Sequence, residues 1–179
     1  MKNICVFAGS SAGLNSNHIS ISRKLGKFIA QKKYNLIYGG AKIGLMGEVA
    51  SSCLSSGGNV IGVIPKFLSN IEVVHDGLTK LVTTETMHER KSYMYSDAEM
   101  FFILPGGVGT LEEAMEVLTW KQLGLINEKV YLINIDQYWD NLVLQLKSMV
   151  KNNFMKSNNL NNFIEIKNEK ELHLIFEQK

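Results

Sequence analysis

The amino-acid sequence predicts an α/β fold: a doubly wound, mainly parallel sheet with helices on both faces. Three observations carry this expectation. Short, almost unbroken apolar runs recur along the chain, as strands buried on both faces require. Segments with apolar residues at helical spacing alternate with them, which argues for parallel strands joined by crossover helices. Three of the runs end in glycine-bearing turns, and in such a sheet those turns emerge on one edge, where ligands bind.

The first run, 3–8, reads Asn3-Ile4-Cys5-Val6-Phe7-Ala8 and leads through Gly9-Ser10-Ser11-Ala12-Gly13 to a helix over 17–33. The second strand, 35–38, ends in Gly39-Gly40-Ala41-Lys42-Ile43-Gly44-Leu45-Met46-Gly47, and a helix follows over 44–56. Strands over 59–64 and 80–84 come next, then a helix over 87–97. The fifth run, Met100-Phe101-Phe102-Ile103-Leu104, has the look of a buried strand. It passes through Pro105-Gly106-Gly107-Val108-Gly109 into a helix over 110–124, where Leu111, Ala114, Met115 and Leu118 fall at helical spacing. A strand over 129–135 precedes the clearest helix, 137–152, in which Trp139, Leu142, Val143, Leu146 and Val150 make one apolar stripe. The remainder, 153–179, is a peripheral C-terminal addition with a polar start, a short strand over 163–166 and a last helix. The pattern as a whole is Rossmann-like.

At 179 residues the chain can bury a full core without staples, so 1–179 is expected to form a single domain. Composition is 45% apolar and 20% charged with no run of membrane-spanning length, so no membrane partner is expected. A formal charge of +2 and scattered lysines give no reason to expect nucleic acid. Met1-Lys2-Asn3 leads straight into the first strand, too short and wrongly flanked for a signal peptide. Cys5 and Cys53 are isolated, which suggests reduced thiols in a cytoplasmic protein.

The stretch Pro105 to Glu113 joins a phosphate cradle to a carboxylate. Glycines at a strand-to-helix turn let an anion approach the unpaired N–H groups of the helix, and Thr110 can add a hydroxyl. The turn lacks the lysine of a P-loop and the third glycine of the dinucleotide fingerprint, so ATP hydrolysis and NAD binding lose ground. A tight turn built for close packing would use glycines as well. Thr110 and Glu113 also match the T-x-x-E capping box, so Glu113 could tie off a helix end, serve chemistry, or both. A second cluster, Met87-His88-Glu89-Arg90-Lys91, opens the helix after the fourth strand and can face the same crevice. Its arginine fork and lysine suit a phosphate or carboxylate; a solvated charged helix face is the plainer reading. Ser10 and Ser11 are turn residues whose hydroxyls can face a phosphate, and no G-x-S-x-G elbow supports a serine nucleophile. His88 alone fits a structural or solvent-facing role. His18, His75, His88, His173 and the two cysteines show no ligand spacing, so no metal is expected.

Taken together, these segments resemble the Lonely Guy family of nucleotide phosphoribohydrolases. Its signatures, PGGxGTxxE and an upstream MHERK-like stretch, stand unbroken at Pro105–Glu113 and Met87–Lys91. Gly9-Ser10-Ser11, Tyr38-Gly39-Gly40 with Gly44-Leu45-Met46-Gly47, Val63-Ile64-Pro65 and Thr119-Trp120-Lys121-Gln122-Leu123-Gly124 also match, so the resemblance spans roughly residues 3–150. Ala8 and Ala41 depart from it, standing where relatives often have Cys and Gly. The resemblance implies cleavage of the N-glycosidic bond of nucleoside 5′-monophosphates, cytokinin riboside monophosphates or AMP, to free base and ribose 5-phosphate. It implies a catalytic pair, Arg90 and Glu113. It further implies substrate contacts at Gly9, Ser10, Glu72, Lys91, Gly107, Val108, Gly109, Thr110, Leu111, Glu112 and Thr119, no cofactor, and a homodimer. Two other functions compete. One is a non-catalytic nucleotide or cofactor carrier, since similar folds bind ligands without cleaving them. The other is lysine decarboxylation, a label the family has borne, which needs a Schiff-base lysine that only Lys91 could supply.

Overall fold

Strands β1 (Asn3–Phe7), β2 (Asn35–Tyr38), β3 (Asn59–Pro65), β4 (Lys80–Thr84), β5 (Ala98–Ile103), β6 (Lys129–Ile133) and β7 (Ile164–Ile166) form one sheet in the computed structural model, which describes residues 2–69 and 73–177. Every pairing in the sheet is parallel, and the strands stand in the order β4-β3-β2-β1-β5-β6-β7. The chain steps outward from β1 to β4, then crosses back to lay β5 on the other side of β1. Strand order therefore reverses between β1 and β5, and the carboxyl ends of those two strands open a crevice.

Helices α1 (Ser16–Gln31), α2 (Gly44–Ser55), α3 (Lys66–Ser69), α4 (Met87–Ser96), α5 (Val108–Gln122), α6 (Asp140–Lys151) and α7 (Glu169–Glu177) cover the sheet. Alternation along β1 sorts them. Ile4 and Val6 join Leu25 and Ile29 of α1, Leu45 and Val49 of α2, and Leu172 and Phe176 of α7 in one buried core. Cys5 and Phe7 point the other way, to Met94 and Tyr95 of α4, Ala114 and Val117 of α5, and Val143 of α6. The doubly wound arrangement read from the sequence is the one observed. Leu172 and Phe176 are buried, so the segment after 152 contributes both an edge strand and core side chains.

Four helices end alike. The residue after each C-cap is left-handed: Lys33 after α1 (φ 58°), Gly57 after α2 (φ 77°), Gly124 after α5 (φ 73°) and Asn153 after α6 (φ 61°). These turns feed the amino ends of the next strands and occupy the rim opposite the crevice.

Element bounds differ from the sequence reading in two places that matter. Helix α5 begins at Val108, not at 110, because Gly107 serves as its N-cap. The helix expected over 137–152 begins at Asp140, behind a 3-10 turn at Ile135–Gln137 in which Asp136 and Gln137 are left-handed. The Asn134 side chain takes the Trp139 amide at 2.7 Å and supports that turn.

Candidate active site

The loop after β1 is pinned from two sides. Gly9 N donates to Pro105 O at 3.0 Å, while Met46 N and Leu45 N at the head of α2 donate to Gly9 O (3.2 Å) and Ser11 O (3.4 Å). Gly44 allows this approach: it is left-handed (φ +68°), and a Cβ there would lie 2.3 Å from the Ser10 carbonyl carbon. The head of α2 thus spends its amides on the protein. The head of α5 does not. Its N-cap is a glycine with no side-chain cap, and its first backbone bond runs from Leu111 N to Gly107 O at 3.0 Å. The amides of Val108, Gly109 and Thr110 precede that bond and have no acceptor within the helix, which with the helix dipole favours an anion. Val108 is 84% exposed, so the approach to them is open.

A cavity of about 250 Å³ opens beside these amides, lined by Ala8, Gly9, Ser10, Met46, Met87, Arg90, Gly107, Val108, Gly109, Thr110, Glu112 and Glu113. A neighbouring cavity of about 240 Å³ shares Gly9, Ser10 and Gly107 with it and reaches His18 and Tyr138. A larger groove of about 800 Å³ lies away from the crevice, between Gln122 and the 150–159 segment, and Lys156 is the one charged residue along it.

Arg90 enters from α4. Thr86 caps that helix by accepting Glu89 N at 3.1 Å, and Glu89 reaches back to accept Glu85 N at 2.9 Å. The capping signature is therefore satisfied at Thr86 and Glu89. Glu113 is the sixth residue of α5, too far along to cap, so the capping reading of Thr110 and Glu113 is corrected: the early glycine start of the helix moved the frame. With α4 fixed, Arg90 is buried; its Nε donates to Val63 O at 3.1 Å, and Nη1 lies 3.8 Å from Met87 Sδ. Its Nη2 stands 3.9 Å from Glu113 Oε1, with side chains 9% and 12% exposed. Gly39 makes room for it, since a Cβ there would be 2.3 Å from Nη2. Burial pushes the Glu113 carboxyl up from 4.5 to about 7, Arg90 works against that rise, and Glu112 adds to it. The result is a carboxyl that changes charge near neutral pH beside a fixed cation.

The other expected residues divide. Gly9, Ser10, Gly107, Val108, Gly109, Thr110 and Glu112 line the cavity with the pair. Lys91 does not; its Nζ donates to Glu112 Oε1 (2.6 Å) and Glu116 Oε2 (3.0 Å). Burial opposes its charge, yet those carboxylates hold its pKa above the ordinary value. Leu111 packs into the apolar core on the α5 side, and the Thr119 hydroxyl donates back to Met115 O at 2.7 Å on the exposed side of α5. Glu72 lies outside the described residues. Sequence reasoning did not pick out Ala8, Met46 and Met87 as cavity walls or Gly39 as the space for a guanidinium; the Gly39-Gly40 pair was the visible signal for the last. Among the described residues, no group of three or more His, Cys, Asp or Glu side chains is placed to hold a metal ion. No helix among them is long and apolar enough to cross a membrane.

A family model described as "Possible lysine decarboxylase" matches residues 46–174. The chain is 37% identical over 171 residues to cytokinin riboside 5′-monophosphate phosphoribohydrolase LOG5 of Arabidopsis thaliana, covering 96% of this chain and 75% of that one. It is 41% identical over 155 residues to the cytokinin riboside 5′-monophosphate phosphoribohydrolase of Rhodococcoides fascians, covering 86% and 78%. Among solved structures, the molybdenum cofactor binding protein of Rippkaea orientalis superposes with a TM-score of 0.72 at 18% identity, over 99% of this chain and 96% of that one. At that identity the likeness is one of fold. The matched relatives and the unbroken stretches around Arg90 and Glu113 lead to one conclusion: this chain belongs to the Lonely Guy family of phosphoribohydrolases.

Proposed function

We propose that this protein hydrolyses the N-glycosidic bond of nucleoside 5′-monophosphates, releasing the free base and ribose 5-phosphate. One observation carries the reading: a buried carboxyl, Glu113, faces Arg90 in a cavity bordered by the free amides of α5. The amides of Val108, Gly109 and Thr110 and the Ser10 hydroxyl receive the 5′-phosphate, which sets the ribose against Glu113. Loss of the base leaves an oxocarbenium-like sugar, and an ionised Glu113 stabilises that positive charge. The attacking water bonds to the anomeric carbon as the carbon–nitrogen bond breaks. Its proton passes to Glu113, whose carboxyl near pKa 7 accepts it. The departing base takes up a proton from solvent water as Glu113 releases its own, which returns the acid to its ionised form. A guanidinium is a poor proton donor, so Arg90 positions and favours the ionised acid instead of donating a proton.

A carrier of nucleotides would gain nothing from burying a carboxylate beside a bound anion. Lysine decarboxylation is disfavoured as well, because Lys91 is held as an ammonium by Glu112 and Glu116 and is not poised to form an imine. The relatives are named for cytokinin riboside 5′-monophosphates, and we propose these and AMP as substrates. A cytoplasmic homodimer of one-domain subunits completes the proposal; exposed Leu123 and Leu125, just beyond α5, offer apolar surface to a second copy. Chromatography of AMP, GMP, CMP and isopentenylated AMP after incubation tests the reaction. Free base and ribose 5-phosphate in equal amounts are expected from AMP or its prenylated form, and intact nucleotide throughout refutes it.

A further inference from the structure

The turn between β6 and α6 carries two successive left-handed residues that are not glycine, Asp136 (φ 52°, ψ 32°) and Gln137 (φ 62°). Such backbone persists only where its surroundings hold it, and it gathers where geometry matters. Here Asp136 Oδ2 accepts from Asn15 Nδ2 (2.7 Å) and Asn17 Nδ2 (2.9 Å) at the head of α1. What the turn delivers is Tyr138. Its ring stands edge-on to His18, with centroids 5.3 Å apart and an interplanar angle of 82°, and its hydroxyl donates to Gly106 O at 2.6 Å.

Gly106 immediately precedes the N-cap of α5, so this carbonyl belongs to the same peptide unit as the Gly107 N–H. No peptide bond among the described residues is cis. In a trans unit the carbonyl and the N–H point to opposite sides. Tyr138 borders only the cavity on the His18 side, whereas Gly107 borders both cavities. We infer that Tyr138 is a positioning residue for the anion cradle: gripping the Gly106 carbonyl from one side, it aims the Gly107 N–H at the phosphate on the other. A donor on the carbonyl also polarises the peptide and strengthens its N–H as a donor. The inference rests on the phosphate site proposed above, adds the Gly107 N–H to its donors, and extends it to a residue that touches neither phosphate nor the reacting atoms.

Tyr138→Phe in the full chain keeps the ring and deletes only the hydroxyl. Calorimetry with ribose 5-phosphate should show a dissociation constant raised about fivefold to tenfold, the loss of one hydrogen bond's worth of ordering. KM for AMP should rise by a similar factor with kcat changed less than about twofold, because a phosphate contact made in both ground and transition states acts on binding. The Gly107 amide resonance should move, with the melting temperature lowered by only about 2–4 °C, the cost of one hydrogen bond. An unchanged ribose 5-phosphate affinity in the Phe variant overturns the inference. So does a defect seen only in Tyr138→Leu, which would assign the role to ring packing. Calorimetry needs no turnover: a chain that binds ribose 5-phosphate but releases no base overturns the hydrolase, while the Phe comparison still decides Tyr138. A wild-type chain that fails to bind ribose 5-phosphate overturns both.

Discussion

Exchanging Glu113 for glutamine should make the protein more stable and nearly inactive. The Glu113 carboxyl is pushed from 4.5 up to about 7, chiefly by burial. At about 1.4 kcal/mol per pKa unit, ionising it in the folded state costs about 3 kcal/mol more than ionising it in the unfolded chain. The sign follows from proton counts. Between pH 4.5 and about 7 the folded protein holds a proton that the unfolded chain has released, so stability falls as pH rises through that window and stays low above it. Glutamine keeps the shape and never ionises, so Glu113→Gln should gain about 3 kcal/mol at pH ~8 and only about 1 kcal/mol at pH ~5. For a chain of 179 residues the gain at the higher pH is a melting temperature higher by about 6–12 °C. Urea unfolding of both proteins at the two pH values, with equal m-values, measures it. Base release from AMP should fall by at least about 100-fold, while the affinity for ribose 5-phosphate changes little. A variant less stable than the parent by about 1 kcal/mol at both pH values would mark a lost cap and refute the placement of Glu113 as a buried acid.

Three further outcomes follow from the same site. With Glu113 working ionised, kcat/KM for AMP should drop about tenfold for each pH unit below about 7, and a flat profile from pH ~5 to ~8 would remove it from the chemistry. Lys91 helps to hold that carboxyl down, so Lys91→Met should move the acid limb of the profile to higher pH; a limb that stays or moves down contradicts the electrostatic account. Gly39→Ala places a Cβ 2.3 Å from Arg90 Nη2 and must displace the guanidinium. We expect turnover as poor as in Arg90→Ala and about 1–3 kcal/mol of lost stability, and wild-type kinetics in that variant would show that Arg90 needs no such seat.

Much of the architecture was legible because parallel strands buried on both faces leave an unmistakable apolar trace. The spans read for β2 and β4 are those observed, and β1 ends one residue earlier, at Phe7. What failed was local. Glycine disfavours helix interiors, so Gly107-Val108-Gly109 looked like loop, yet a glycine N-cap let α5 start at Val108. That shift of two residues decided whether Glu113 could cap. Gln137 lies beside an apolar stripe and looked helical, because nothing local announces that Asn15 and Asn17, through Asp136, and Asn134, through the Trp139 amide, hold this turn out of the helix. The pairing of Arg90 with Glu113 was inferable from motif, but the engagement of Lys91 by Glu112 and Glu116 was not. It depends on the rotation of α5 against α4, which spacing within either helix does not encode.

Because the strands run one way, the four left-handed helix stops and the reactive crevice are held apart by a strand's length, about 15–20 Å. Two of those stops, Lys33 and Asn153, bear side chains in a conformation that suits glycine. Stabilising changes can therefore be collected at that end and summed with changes in substrate preference at the other, since distant sites combine additively. The sheet works as a spacer that lets thermal robustness and selectivity be engineered as separate variables.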